Sequence, residues 1–201
     1  MSIVYELKGS LYINLTNRCT NACTYCIKYK WDGNFMGNDL RLKQEPTADE
    51  VITAIGDPTR YHEVIFCGYG EPLIPLEVLK TVARAIKEGG GTVRINTAGH
   101  ANLYHRRNIL PELAGLVDAL SISLNATNAQ EYVALNRPQF GEAAFQEVID
   151  FARESKKHIP DVTITAVALP GLDVARVEQI AREQGVKFRL RPYLDDEDNQ
   201  P

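Results

Sequence analysis

Read for hydrophobic and polar positions, the chain breaks into six short apolar runs separated by stretches in which apolar residues recur at helical spacing. The runs lie at residues 11–15, 63–67, 92–96, 118–124, 162–167 and 186–190. Each is short and apolar, the one at 162–167 rich in β-branched residues, which predicts buried strands. The helical stretches are marked by their ends. Thr47 and Glu50 form a capping box ahead of Val51, Ile52 and Ile55, and Gly56-Asp57-Pro58 stops that helix. Residues 76–88 keep helical spacing until Gly89-Gly90-Gly91, and residues 101–116 form a broken helical region in which Pro111 starts a second helix. A short helix near 129–135 precedes a long one at 142–157; Asp173 caps the last, with Val174, Val177, Ile180 and Ala181 inward and Gly185 closing it. Residues 27–45 show little periodicity and are expected to form a long surface loop.

Strands that alternate with helices imply a parallel sheet with right-handed crossovers. Six units in 201 residues average about 33 residues, the size of a βα repeat, whereas a closed eight-fold barrel needs about 250. The fold class expected is therefore α/β, an open partial barrel of about six parallel βα units, in a single domain over residues 1–201. The acidic stretch 195–198 reads as a solvated tail. The sixth strand is followed by no helical pattern, so that edge of the sheet is expected to be exposed or covered by a partner.

Composition narrows the class. An apolar fraction of 44% and a charged fraction of 24% are those of a globular protein, and no run of about 18 apolar residues is present to span a membrane. Residues 1–6 lack the basic start and apolar middle of a signal peptide, so a cytoplasmic location is expected, where thiols stay reduced. A net charge of −4 carries no general nucleic-acid footprint.

The candidate chemistry begins directly after the first run, at Cys19, Cys23 and Cys26 in Cys-x3-Cys-x2-Cys spacing. Thiolate is a soft ligand suited to zinc, copper(I) or iron–sulfur clusters. A tetrahedral structural zinc needs four ligands, and no second Cys or His pair follows at zinc-ribbon spacing. A zinc knot completed by a distant His, or a disulfide with a spare thiol, are the alternative readings. In parallel α/β folds ligands gather at the carboxyl ends of strands, and those positions are polar here. The second run leads into Gly68-Tyr69-Gly70-Glu71-Pro72, the third into Asn96-Thr97-Ala98-Gly99, the fourth carries Ser121, Ser123 and Asn125 on one face, and the sixth ends in Arg191-Pro192-Tyr193. The ordinary readings are a proline turn, strand and cap residues satisfied locally, and a surface cation with a packed Tyr. Cys67 reads as a small core hydrophobe, or as a hydrogen donor if it points inward, and His100 is the one histidine placed to reach a pocket.

The cysteine spacing, with Tyr25 just before the third cysteine, resembles the radical S-adenosylmethionine (radical SAM) enzymes. The resemblance implies the radical SAM core fold, a [4Fe-4S] cluster on Cys19, Cys23 and Cys26 with Tyr25 packed beside it, and one iron left open for S-adenosylmethionine. It further implies that Gly68, Gly70 and Glu71 meet the amino group of that cofactor, that Asn96, Ser123 and Asn125 meet its ribose or carboxylate, and that an external donor of the flavodoxin or ferredoxin type supplies the electron. The reaction implied is reductive cleavage of the cofactor, then hydrogen abstraction from an unidentified substrate. The segments Leu15-Thr16-Asn17-Arg18-Cys19, Phe66-Cys67-Gly68-Tyr69-Gly70-Glu71-Pro72 and Leu135-Asn136-Arg137-Pro138 with Phe140-Gly141 are similar to the TatD-associated radical SAM proteins, which implies a TatD-type nuclease as a partner. Two rivals stand beside this reading: a non-catalytic cluster- or cofactor-binding module that recruits such a nuclease, and a zinc-binding α/β protein.

Overall fold

The computed structural model describes residues 1–194 and 197–199. Strands are β1 (Val4–Leu7), β2 (Ser10–Ile13), β3 (Asn34–Phe35), β4 (Asn38–Asp39), β5 (Val64–Phe66), β6 (Val93–Thr97), β7 (Ala119–Ser123), β8 (Asp161–Val167) and β9 (Lys187–Arg191). Helices are α1 (Ile27–Lys30), α2 (Ala48–Ile55), α3 (Leu76–Glu88), α4 (Ala101–His105), α5 (Leu110–Leu113), α6 (Ala129–Asn136), α7 (Ala143–Ser155) and α8 (Val174–Glu183). Seven strands form one sheet in the order β1-β2-β5-β6-β7-β8-β9, parallel throughout except for β1, which runs antiparallel to β2. The α/β architecture with a mostly parallel sheet is the one expected, and all six apolar runs are strands of it.

Local chemistry explains the element ends. The Thr47 side chain accepts from the Glu50 N–H while the Glu50 carboxylate accepts from the Thr47 N–H at 2.8 Å, and Asp173 accepts from the Arg176 N–H at 3.0 Å. Two hairpins were not expected. Lys8 and Gly9 take φ of 51° and 76° in a two-residue turn that pairs β1 with β2, and Met36 and Gly37 take 47° and 76° between β3 and β4. Positive φ at both central residues matches the right-handed strand twist, which is why such short turns close. Residues 27–45 are thus a helical turn and a hairpin rather than a plain loop.

Alternation along the strands gives the sheet two different faces. One face is apolar and packs on the helices: Phe66, Ile95 and Leu120 lie in register, as do Ile122, Ile164 and Phe188. Leu79, Val82, Ala83, Val148, Phe151, Ala152, Val177 and Ile180 cover it from α3, α7 and α8. The opposite, concave face carries Tyr12, Cys67, Arg94, Asn96, Ser121, Ser123, Arg189 and Arg191. The hairpin segment reaches across it. Trp31 stacks on Phe35 with centroids 5.9 Å apart, Phe35 meets Tyr5 of β1 edge-on at 6.4 Å, and the chain beyond β9 is tied in by Lys30 Nζ to the Leu194 carbonyl at 2.8 Å and by the Met36 N–H to Asn199 Oδ1 at 2.6 Å. The two ends of the strand order are therefore joined through one segment. Of the acidic stretch, Glu197 and Asp198 are exposed, and Asp195 and Asp196 lie outside the described residues. No helix among the described residues is long and apolar enough to cross a membrane.

Candidate functional site

The loop that carries the cysteines leaves the carboxyl end of β2 and is held by backbone bonds to the end of α6. The Ala22 N–H donates to the Asn136 carbonyl at 3.0 Å, the Thr24 N–H to the Leu135 carbonyl at 2.9 Å, and the Gln139 N–H to the Thr20 carbonyl at 2.9 Å. Beneath the loop, Thr20 Oγ1 lies 3.1 Å from His100 Nδ1, and the Tyr132 hydroxyl lies 2.9 Å from His100 Nε2. His100 is fully buried, and burial holds its imidazole down to about 4, so the ring is neutral at neutral pH. His100 is therefore not a pocket residue, contrary to the expectation from sequence. It lies behind the cysteine loop because the chain turns into α4 directly after β6. On the other side, Asn17 clamps the hairpin segment, donating to the Leu42 carbonyl at 2.6 Å and accepting from the Leu42 N–H at 3.0 Å.

Tyr25 joins the loop to β7. Its hydroxyl donates to Asn136 Oδ1, accepts from Asn125 Nδ2 at 2.8 Å, and lies beside the Cys23 thiol. Asn125 follows β7 at φ 50° and accepts from the Val167 N–H at 2.7 Å. Its side chain is thus already engaged in tying β7, β8 and the loop together. Tyr132 and Asn136, which complete this scaffold, gave no signal as functional residues beyond the quoted Leu135-Asn136-Arg137-Pro138 segment.

All four cysteines are free. Burial pushes the Cys19 thiol up to about 12, with the Glu71 carboxylate adding to the rise, and pushes Cys23 up to about 11; Cys26 is raised for the same first reason. Cys19 is nonetheless solvent-exposed, so it sits at the open side of a walled recess. Thiols raised in this way ionise only against a bound cation, and metal binding would release their protons. Among the described residues no three His, Cys, Asp or Glu side chains converge as ligands of a single metal ion. Three neighbouring soft sulfurs on one loop are a donor set that fits an iron–sulfur cluster.

The loop after β5 passes against the cysteine loop. A side chain at Gly70 would place Cβ 2.3 Å from the Arg18 carbonyl oxygen, and one at Gly68 would place it 2.7 Å from Asn14 Cα, so both glycines are required by close approach of the chain to itself. Glu71, 4% exposed, accepts from Thr97 Oγ1 at 2.8 Å, the Ala98 N–H at 2.7 Å and the Leu73 N–H at 3.2 Å, while burial raises its carboxyl. It therefore ties the β5 and β6 ends together. Cys67 points to the concave side, faces the Asn96 side chain and is raised by burial; Asn96 Oδ1 is buried without a partner. Ser121 and Ser123 face the same side, where Ser121 Oγ accepts from Arg94 and Arg189 at 3.3 Å each and Ser123 Oγ accepts from Arg191 at 3.2 Å.

A mostly parallel sheet whose first core strand delivers three thiols to its carboxyl edge defines a class, and the family match agrees. The model of the radical SAM superfamily matches residues 13–183, and the chain belongs to that superfamily. The family uses a [4Fe-4S] cluster and S-adenosylmethionine in catalysis.

Among curated relatives, the chain is 28% identical over 166 residues to the tungsten-containing aldehyde ferredoxin oxidoreductase cofactor-modifying protein of Pyrococcus furiosus, covering 78% of this chain and 43% of that protein. It is 27% identical over 201 residues to the GTP 3',8-cyclase of a Synechococcus species, covering 93% and 56%. The chain thus spans about half the length of these relatives. Among solved structures, SuiB of Streptococcus suis bound to its precursor peptide SuiA superposes with a TM-score of 0.70 at 15% identity, over 98% of this chain and 42% of that one. A radical SAM methyltransferase from Sphaerobacter thermophilus gives 0.61 at 16% identity, over 94% and 68%. These two likenesses establish the fold.

Proposed function

We propose that the chain is a radical SAM enzyme and that residues 1–201 are one radical SAM core domain. Cys19, Cys23 and Cys26 would hold the [4Fe-4S] cluster. When bound, the cluster and S-adenosylmethionine would supply radical chemistry for hydrogen abstraction, given an electron from a flavodoxin- or ferredoxin-type donor. The observation that carries this reading is the set of three thiols on one loop, braced by α6 and by the Thr20–His100–Tyr132 contacts beneath it, inside the residues that the radical SAM family model matches.

The protein's own residues supply position and exclusion. Gly68 and Gly70 bring the β5 loop against the cysteine loop, and the buried Glu71, whose charge is felt at Cys19, would meet the cofactor's amino group there. Asn96, with an unsatisfied oxygen, and Ser123 face the same recess and would meet ribose or carboxylate. Asn125 and Tyr25 act through the loop they brace. The segment bearing Trp31 and Phe35 screens the concave face from water. The motif likenesses around Cys19, Glu71 and Arg137 support the TatD-associated subgroup, with a TatD-type nuclease as a partner and a substrate of unidentified class.

The test is anaerobic reconstitution with iron and sulfide, then dithionite and S-adenosylmethionine. Formation of 5'-deoxyadenosine, abolished by Cys23→Ala, is expected. A cluster-bearing protein that yields none under several reductants overturns the enzymatic reading. Calorimetric titration with S-adenosylmethionine tests cofactor binding apart from turnover, and metal analysis of anaerobically purified protein tests the zinc alternative.

A further inference from the structure

The concave face carries more positive charge than the chain compensates. Arg94 on β6 is paired, its Nε lying 2.7 Å from Glu63 Oε2. Arg189 and Arg191 on β9 are not: among the described residues their hydrogen-bonding partners are the hydroxyls of Ser121 at 3.3 Å and Ser123 at 3.2 Å, and neither makes an ion pair. Arg191 is half-buried, and its Nε is buried with no acceptor. The three guanidinium groups also feel one another. Arg189 is exposed overall, and its partial burial, then the charges of Arg94 and Arg191, hold it below the usual arginine value against the opposing pull of Glu63. Like charges gathered on one wall cost free energy that a bound anion offsets, and the planar arginine fork suits carboxylate or phosphate.

We infer that the substrate carries an anionic group, a carboxylate or a phosphate, which is seated against Arg189 and Arg191 on the concave face of β9. The assignment to a substrate rests on the enzymatic reading above. Position along the strand sets the two arginines at different depths. Arg189 stands two residues before the end of β9, about 7 Å further from the carboxyl edge at the usual strand rise. Its serine partner, Ser121, is likewise two residues before the end of β7. The seat thus runs from the level of the cysteine loop, at Arg191, whose charge is felt at Cys23, to one rung below it, at Arg189. Serines 121 and 123 hold the guanidinium groups toward the open side without neutralising them, leaving each fork free to bind.

The test uses cluster-loaded, arginine-labelled protein with S-adenosylmethionine bound, following the arginine Nε–H signals in NMR spectra during titration with inorganic phosphate in one arm and acetate in the other. Saturable shifts of the Arg189 and Arg191 signals are expected, with binding weakened about tenfold by Arg189→Gln or Arg191→Gln and unchanged by Arg84→Gln on the exposed face of α3. Response to phosphate alone assigns a phosphoryl group, response to acetate alone a carboxylate, and response to both the shared anion seat. The proposal is overturned if neither anion moves these signals, if both arginine variants bind as the unaltered protein does, or if S-adenosylmethionine displaces the anion. Iron content and cofactor binding are measured on the same sample. Unmoved arginines in a sample that holds both overturn the anion seat alone; anion uptake by a reconstituted sample that holds neither overturns the enzymatic reading and the assignment to a substrate with it.

Discussion

Thr20 and His100, 80 positions apart, meet at 3.1 Å beneath the cysteine loop. The other ring nitrogen of His100 meets the Tyr132 hydroxyl at 2.9 Å, so a single buried imidazole satisfies two hydroxyls from different elements. His100→Ala leaves the buried Thr20 hydroxyl without its partner, at a cost of about 1–3 kcal/mol, and removes one of the two contacts of the Tyr132 hydroxyl, which also meets the Asn21 side chain. Urea denaturation is expected to show that loss, and the same variant should retain less iron after reconstitution.

The imidazole also makes stability depend on pH. Burial lowers its pKa from 6.5 to about 4, so between those values the unfolded chain binds the proton more readily than the folded one. The contribution is present in full above about 6.5 and is lost as the pH falls toward about 4. Urea melts across that window should show this decline, and His100→Gln should flatten it.

Gly70 and Gly115 make a matched pair. A Cβ at Gly70 would lie 2.3 Å and 2.5 Å from the Arg18 and Thr16 carbonyl oxygens, backbone atoms that cannot swing aside, whereas one at Gly115, at φ 76°, would meet nothing within 4 Å. Gly115→Ala should cost about 1–2 kcal/mol for the left-handed conformation alone. Gly70→Ala should reach the upper end of the roughly 1–3 kcal/mol cost of overpacking, or exceed it. Midpoints in the reverse order would remove the close-approach explanation.

Cys67 stands on β5's concave side beside Asn96, apart from the loop that carries the other three thiols. Cys67→Ala should therefore reconstitute with the same iron content as the unaltered protein, while Cys19→Ala and Cys26→Ala should not. Loss of iron from the Cys67 variant would make it a ligand.

Glu71 accepts three hydrogen bonds through two carboxylate oxygens. In Glu71→Gln one of those oxygens becomes a donor facing a donor, which should destabilise by about 1–3 kcal/mol. If Glu71 also meets the cofactor, the rise in melting temperature that S-adenosylmethionine produces should shrink in the variant. An undiminished rise would confine Glu71 to its structural role.

Much of the fold could be read from order along the chain. The β-branched run at 162–167, the Thr47–Glu50 capping box and the Asp173 cap are local signals, and each became the element it announced. β1 escaped because Lys8-Gly9 lacks the side-chain signature of a hairpin turn, although its φ values are those of one; Met36-Gly37 hid the second hairpin in the same way. The cysteines were legible because their spacing is itself the signal. Their support was not, since the meeting of Thr20, His100 and Tyr132 depends on how β6 and α6 are stacked. Glu71 and Asn125 show the converse: their sequence context pointed to a ligand, and their side chains also hold strand ends together.

The segment that joins the first strand to the chain beyond the last begins at Cys26, the residue that opens α1. An open sheet fastened like this is a hoop with a buckle, and the third sulfur is the buckle's pin. That sulfur and the stacked rings of Trp31 and Phe35 lie on one continuous stretch of backbone, so the residue offered to metal is also the root of the strap that closes the hoop.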